Sequence, residues 1–236
     1  HLFPQYHTRL NRLYLRWALP IMARRAAAII ADSHATKRDI VAQLGVSPDK
    51  ITVVHLGVDG ALFAPQSAAT AGLALAQVGV RRPYLLAVGT LEPRKNLATL
   101  LRAYATLPAS TPPLVLVGGL GWGDDSLTTA IDALNLRGRV HMTGYIADEL
   151  LPALYSQAEV FIYSSIYEGF GLPVLEAMAC GAPVITSNVS SLPEVAGDAA
   201  VLVDPRRADQ LAAALQALLD SPRQRDQLRS AGLARA

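Results

Sequence analysis

The chain has 236 residues, of which 51% are apolar and 17% are charged, and its formal net charge is +2. This composition excludes a disordered chain and allows one large domain or two small ones with a buried core. The small net charge argues against nucleic acid as the main partner. A single cysteine, Cys180, excludes an internal disulfide, which is compatible with a cytoplasmic protein. No apolar run reaches the length of a membrane-spanning helix.

Residues 1–60 have the pattern of the end of an α/β domain. Residues 8–26 are predicted to form a helix with five arginines, which either presents a solvated face or contacts an anionic membrane surface peripherally. A strand at residues 28–31, a helix capped by Ser33 and a strand at residues 51–54 follow. This is too little for an independent sheet, so we expect the remnant of a preceding domain. The missing initiator Met and an end inside a predicted helix indicate a fragment.

Residues 61–82 show little strand pattern and contain Pro65 and many small residues, so they are expected to connect two domains. From residue 83 to residue 236, short apolar runs alternate with amphipathic stretches. The predicted strands cover residues 84–90, 114–119, 140–145, 160–164, 184–187 and 200–203. The predicted helices between them include residues 97–107, 127–136, 149–157 and 211–219. This alternation predicts an α/β fold with a doubly wound, Rossmann-like parallel sheet.

The segment E-G-F-G-L-P-V-L-E, residues 168–176, follows one of these strands. Its glycines allow a ligand to approach the backbone, and its proline suits the first turn of a helix that starts near Gly171. The backbone N–H groups of Phe170, Gly171 and Leu172 are expected to face a phosphate at that helix end. Glu168 and Glu176 flank the end and are suited to accept hydrogen bonds from hydroxyl groups. The alternative is a pair of solvated surface glutamates.

The segment G-T-L-E-P-R-K-N, residues 89–96, follows the strand at 84–90. Arg94 and Lys95 are expected at the start of the next helix, where cations oppose the helix dipole at a cost of about 0.3–1 kcal/mol each. An anionic ligand bound at this point offsets that cost. The alternative is a solvated basic loop in which the cations pair with Glu92.

Together these two segments resemble glycosyltransferase family 4, the retaining enzymes of the GT-B fold. The resemblance covers essentially the whole chain, with looser matches at residues 144–146, 181–185 and 192–197. It implies that residues 1–60 belong to the acceptor-side N-terminal domain and residues 83–236 to the nucleotide-sugar-binding C-terminal domain, with 61–82 as the interdomain connection.

The same resemblance implies roles for individual residues. Glu176 is expected to bind the ribose hydroxyls of the donor, Glu168 to face the transferred sugar, and Lys95 and Arg94 to hold the diphosphate. The backbone around Tyr145 and Ile146 is expected to border the base. Thr90 stands where many family members have a second arginine, which leaves one charge fewer for the diphosphate.

The implied function is transfer of a hexose from a nucleotide sugar to a glycan or lipid-linked acceptor, and the G-T-L-E-P-R-K-N version favours mannose from GDP-mannose. A UDP-sugar donor, or a nucleotide-sugar-binding module without transferase activity, stays open. No cofactor and no metal ion are expected, because the sequence lacks an Asp-x-Asp pair and the histidines His34, His55 and His141 are scattered.

Overall fold

The computed structural model describes residues 9–119 and 125–236; side chains are described from residue 17 onward, and not for residues 125 and 126. The chain divides into two compact units, His1–Leu56 and Gly57–Ala236. Among the described residues, none of the helices is both long enough and apolar enough to cross a bilayer. Residues 118–123 form a Gly-rich segment whose sequence favours a loop, and most of it lies outside the described residues.

The first unit contains the four elements predicted from the sequence. They are α1 (Arg9–Arg25), β1 (Ile29–Ala31), α2 (His34–Leu44) and β2 (Ile51–Val53). The two strands pair in parallel. The predicted cap of α2 is confirmed, because the Ser33 hydroxyl accepts a hydrogen bond from the backbone N–H of Thr36 at 2.9 Å. Much of the Arg-rich face of α1 lies outside the described side chains, so the membrane contact stays a prediction.

The second unit is built on six parallel strands, each at a position predicted from the apolar runs. They are β3 (Leu85–Val88), β4 (Leu114–Val117), β5 (Val140–Gly144), β6 (Val160–Tyr163), β7 (Val184–Ser187) and β8 (Ala200–Val203). The helices are α3 (Ala68–Gln77), α4 (Leu97–Ala105), α5 (Asp125–Ala133), α6 (Leu151–Gln157), α7 (Leu172–Ala179), α8 (Leu192–Ala196), α9 (Ala208–Asp220) and α10 (Pro222–Arg235). The predicted α/β class with a Rossmann-like parallel sheet is confirmed.

Both faces of the sheet are covered by apolar side chains. The neighbouring residues Leu85 and Leu86 are fully buried, yet they belong to two different core clusters. Successive side chains of a strand point to opposite faces, so a strand buried on both faces is apolar at nearly every position. This explains why β3, β4 and β6 appear in the sequence as unbroken apolar runs, whereas β5 contains the exposed His141 and β7 ends in the buried Thr186 and Ser187.

The segment 61–82, expected as a connection, contains helix α3 and lies within the second unit. The Ser67 hydroxyl caps this helix by accepting a hydrogen bond from the backbone N–H of Thr70. Ala71 and Leu75, one helical turn apart, are buried in the same core as α6. The alanine-rich sequence favours a helix, and the cap was a signal that could have been recognised.

The strand order is β5-β4-β3-β6-β7-β8. The chain therefore runs outward from β3 through β4 to β5 and then returns to place β6 on the other side of β3. Because the order reverses between β3 and β6, the helices that follow them pack on opposite faces of the sheet, α4 in one core cluster and α7 in the other, and a crevice forms at the carboxyl ends of the two strands. In open parallel sheets this is where ligands bind, and both motifs singled out from the sequence lie there.

Candidate functional site

The crevice at the carboxyl ends of β3 and β6 brings together three charged residues predicted from the sequence. Glu168 is only 8% exposed. Its Oε1 lies 2.8 Å from Lys95 Nζ, and its Oε2 lies 2.5 Å from Arg94 Nη1. Ion pairs that are also hydrogen bonds are the strong ones, so these contacts fix the glutamate relative to the loop after β3.

The hydroxyl of Tyr163, at the end of β6, completes this charged cluster. It lies 2.5 Å from Lys95 Nζ and 2.9 Å from Glu168 Oε1. Burial raises the pKa of Tyr163 strongly, and the Glu168 carboxylate raises it further, so the phenol is neutral. No sequence signal marks this residue, because a tyrosine in a buried strand is an ordinary core residue.

Burial and charge act in opposite directions on the ionisable groups of the cluster. Burial would raise the pKa of Glu168, but the ammonium of Lys95 and the guanidinium of Arg94 outweigh it, so the pKa is lowered. Burial lowers the pKa of Lys95 despite the favourable Glu168 charge. For Arg94, burial alone would lower the pKa, and the carboxylates of Glu168 and Glu92 raise it above its usual value. The lowered pKa of Glu168 and the raised pKa of Arg94 keep both ionised at neutral pH, and the 2.8 Å contact of Lys95 Nζ with the carboxylate is that of an ion pair.

Arg94 uses both its side chain and its backbone to hold the loop that carries Glu168. Its Nη1 donates to the carbonyl oxygen of Tyr167 at 2.9 Å, and its Nη2 donates to Glu92 Oε1 at 2.6 Å. Its own carbonyl accepts from the N–H of Ile166 at 3.0 Å. Arg94 and Lys95 lie in a short 3₁₀ turn directly before α4, close to the helix start at which they were predicted.

Two serines hold the other side of the same loop. The hydroxyl of Ser190 accepts from the backbone N–H of Glu168 at 3.0 Å. The hydroxyl of Ser191 lies 3.0 Å from the carbonyl oxygen of Glu168 and 2.6 Å from that of Phe170, and its proton is shared between them. Ser190 has a left-handed φ of 54°, which is unusual for a residue other than glycine or asparagine. Sequence reasoning missed both residues.

Glu176, the second glutamate of the motif, has a different environment. It is half-buried on α7, and its Oε2 accepts a hydrogen bond from the hydroxyl of the buried Tyr155 at 2.9 Å. Burial raises the pKa of Glu176, although the Tyr155 hydrogen bond opposes the rise. Helix α7 begins at Leu172, after Gly171 in a left-handed conformation. A Cβ at Gly171 would lie 2.7 Å from a Leu192 methyl carbon, so the turn requires glycine.

The remaining predicted residues lie around this cluster. Thr90 is exposed in the loop after β3. Tyr145 follows β5, two strands away from β3, and is 77% exposed, while Ile146 is half-buried against the core. The carbonyl of Gly144 accepts from the N–H of Gly118 at 2.9 Å, which joins the ends of β4 and β5.

The expectation that the histidines are scattered is wrong for one pair. The rings of His34 and His55 lie edge to face with centroids 5.9 Å apart. His34 follows β1 and His55 follows β2, and the carboxyl ends of paired parallel strands lie side by side.

The order of the sheet and the charged crevice at its reversal point define the class of the second unit as a Rossmann-like ligand-binding domain. Residues 76–235 match the family Glycosyl transferases group 1, and residues 1–62 match Glycosyltransferase Family 4. The chain belongs to the group 1 glycosyltransferases, and the family resemblance seen in the motifs is confirmed.

Several relatives are similar over most of this chain. O-antigen chain mannosyltransferase B of Escherichia coli is 38% identical over 237 residues, which cover 99% of this chain and 62% of that protein. The MMP alpha-(1->4)-mannosyltransferase of Mycolicibacterium hassiacum is 37% identical over 220 residues, which cover 91% of this chain and 51% of that protein. The chain thus spans between half and two thirds of the length of these relatives.

Solved structures confirm the GT-B fold. Sucrose-phosphate synthase from Thermosynechococcus elongatus has a TM-score of 0.84 and 30% identity, with 98% of this chain and 58% of that chain covered. Anabaena HepE in complex with UDP and glucose has a TM-score of 0.84 and 25% identity, with 97% of this chain and 62% of that chain covered.

Replacement of Ser191 by alanine should lower the free energy of unfolding by about 1–3 kcal/mol, because the buried carbonyls of Glu168 and Phe170 lose a donor. Ser187→Ala is the matched control, since that buried hydroxyl has no hydrogen-bond partner in the described part of the chain. Urea unfolding of both variants measures the difference. Equal stability of the two variants would show that the Ser191 hydrogen bonds do not hold the loop.

Proposed function

We propose that this chain is the nucleotide-sugar-binding part of a retaining glycosyltransferase that transfers mannose from GDP-mannose to a glycan or lipid-linked acceptor. The observation that supports it most directly is the cluster of Lys95, Arg94 and Glu168 at the reversal point of the sheet. Cations beside a carboxylate suit a ligand in which a diphosphate is joined to a sugar. Two relatives named as mannosyltransferases support the choice of sugar.

In this proposal the diphosphate binds beside Lys95 and Arg94, near the backbone of residues 170–172 at the start of α7. The cations and the helix end stabilise the negative charge that develops on the departing nucleoside diphosphate. Thr90 lies in the same loop as Arg94 and Lys95. The proposal assigns this stabilisation to the cations and the helix end, without a cofactor or a metal ion.

Glu168 faces the transferred sugar and orients it without forming a covalent bond. The acceptor attacks from the face of the leaving group, so the anomeric configuration is retained. Glu176 accepts hydrogen bonds from the ribose hydroxyls, and its position within α7, on the other side of the helix start from Glu168, suits the far side of the diphosphate. The backbone around residues 145–146 borders the base.

A UDP-sugar donor is the second candidate, and the similarity to HepE, which was solved with UDP and with UDP-glucose, favours it. A binding module without transferase activity is a third candidate. Turnover by the full-length protein separates this third candidate from the first two.

The donor assay offers full-length protein GDP-mannose, UDP-glucose and UDP-galactose with a lipid-linked or glycan acceptor. We expect release of GDP from GDP-mannose with retention at the anomeric carbon, and we expect turnover to survive EDTA. Product release followed by chromatography and anomeric NMR measures both. Turnover of UDP-sugars alone would overturn the GDP-mannose assignment, and loss of activity in EDTA that is restored by Mg²⁺ would overturn the metal-free scheme.

Glu176→Gln should weaken binding of GDP and UDP alike by about 1 kcal/mol, because hydrogen bonds to a charged carboxylate are replaced by weaker ones to a neutral amide oxygen. In the parent protein the affinity should fall as the pH drops through the pKa of Glu176, which is raised, since only the ionised carboxylate is the strong acceptor. The variant should lack this acid decline. Calorimetry across pH measures both effects, with the exposed Glu149→Gln as control. Unchanged affinity in Glu176→Gln would remove the ribose role.

Lys95→Ala and Glu168→Gln should separate the diphosphate from the sugar. Lys95→Ala should weaken binding of GDP, and the loss should shrink as salt rises, because part of it is screened Coulomb attraction. Glu168→Gln should bind GDP as well as the parent or better, because Lys95 and Arg94 lose a competing carboxylate. Turnover should fall about tenfold or more in both.

These two variants are compared by calorimetry with GDP at two salt concentrations and by the turnover assay. Equal losses of GDP affinity in Lys95→Ala and Glu168→Gln would show that Glu168 contacts the nucleotide part of the donor.

A further inference from the structure

The hydroxyl of Tyr163 lies between the two oppositely charged groups at the centre of the site. It lies 2.5 Å from Lys95 Nζ and 2.9 Å from Glu168 Oε1, and the ammonium also lies 4.7 Å from the centre of the tyrosine ring. The side chain is 4% exposed, and its ring stacks on Phe161 within the core. A side chain packed in this way holds its hydroxyl at a fixed point.

The direction of both hydrogen bonds follows from the chemistry of the groups. The ammonium of Lys95 has donors and no acceptor, so the hydroxyl oxygen must accept from it. The ionised carboxylate of Glu168 only accepts, so the single hydroxyl proton must be donated to it. The hydroxyl therefore stabilises the positive charge of Lys95 and the negative charge of Glu168 at the same time.

We infer that Tyr163 is a positioning residue, which keeps Lys95 and Glu168 charged and in a fixed geometry for the donor. This positioning role deepens the proposed function, and its effect on turnover rests on that function. Lys95 comes from the loop after β3, and Tyr163 and Glu168 come from β6 and the loop that follows it. The hydroxyl therefore connects the two sides of the crevice in addition to the ion pairs of Glu168 and the hydrogen bonds of Arg94.

Removal of the hydroxyl should move two pKa values in opposite directions. Lys95 loses an acceptor, so its pKa, which burial already lowers, should fall further. Glu168 loses a donor, so its pKa should rise from its lowered value. The other charged groups that act on this pair are Arg94 and Glu92, and they are unchanged in the variant.

The test compares Tyr163→Phe with Tyr84→Phe in the full-length protein. Tyr84 is a matched control, because its hydroxyl is equally buried but donates to the carbonyl of Leu154 at 2.7 Å, in a contact that does not involve the charged cluster. NMR titration of the Lys95 ammonium in ligand-free protein, assigned by its loss in Lys95→Met, should show a lower pKa in Tyr163→Phe only. This readout requires neither donor nor turnover.

The pH profile of kcat gives the functional readout. In Tyr163→Phe the acid limb should move to higher pH and the alkaline limb to lower pH, and kcat at the optimum should fall about tenfold, as expected when hydrogen bonds to charged groups are lost. A uniform fall at every pH, or the same profile as Tyr84→Phe, would overturn the inference.

Failure of the inference and failure of the proposed function give different results. An unchanged Lys95 titration in Tyr163→Phe overturns the inference even if Lys95→Ala and Glu168→Gln lose turnover as expected. A shifted Lys95 titration, together with no turnover of any nucleotide sugar by the parent protein, supports the hydrogen bonding of Tyr163 to Lys95 and Glu168 and overturns the proposed transferase activity.

Discussion

The buried carboxylate of Glu168 is the constraint on which the arrangement of the site depends. An ionised group that is removed from water must be paired, and leaving it without its partners costs several kcal/mol. Lys95, which lies 73 residues earlier in the chain, and its neighbour Arg94 supply the pairing. The ion pairs therefore require that the loops after β3 and β6 meet. The remaining contacts of the loop, from Ser190 and Ser191, hold the carboxylate where the cations can reach it.

The sheet makes this meeting possible. With β3 and β6 adjacent, the loops that follow them share one end of the sheet. Asn96 extends the connection, because its side-chain amide donates to the carbonyls of Ser164 at 3.1 Å and Pro205 at 2.6 Å, so that the loop after β8 is joined as well. A close approach of the β3 and β4 ends also requires glycine, since a Cβ at Gly118 would lie 2.1 Å from the carbonyl oxygen of Gly89.

The charges of the cluster balance, and this has a consequence for ligand binding. Lys95 and Arg94 face the carboxylates of Glu168 and Glu92, so two positive charges meet two negative ones. A diphosphate that approaches Lys95 competes with Glu168 for it. Under the proposed function, the same carboxylate that orients the sugar thus limits the affinity for the product nucleotide, which favours release of the product after transfer.

Local sequence patterns by themselves determined the strands of the second unit and the position of one helix start. Apolar runs predicted the six strands of the second unit, because strands buried on both faces are largely apolar. The glycines, Pro173 and the paired glutamates of residues 168–176 indicated the start of α7 and a site beside it. Tertiary structure alone decided the strand order, the ion pairs of Glu168 and the parts played by Tyr163 and Ser191. Periodicity and capping depend on neighbours a few residues apart. The pairing of side chains 68 and 73 residues apart depends on which strands become neighbours, and no local pattern records that choice.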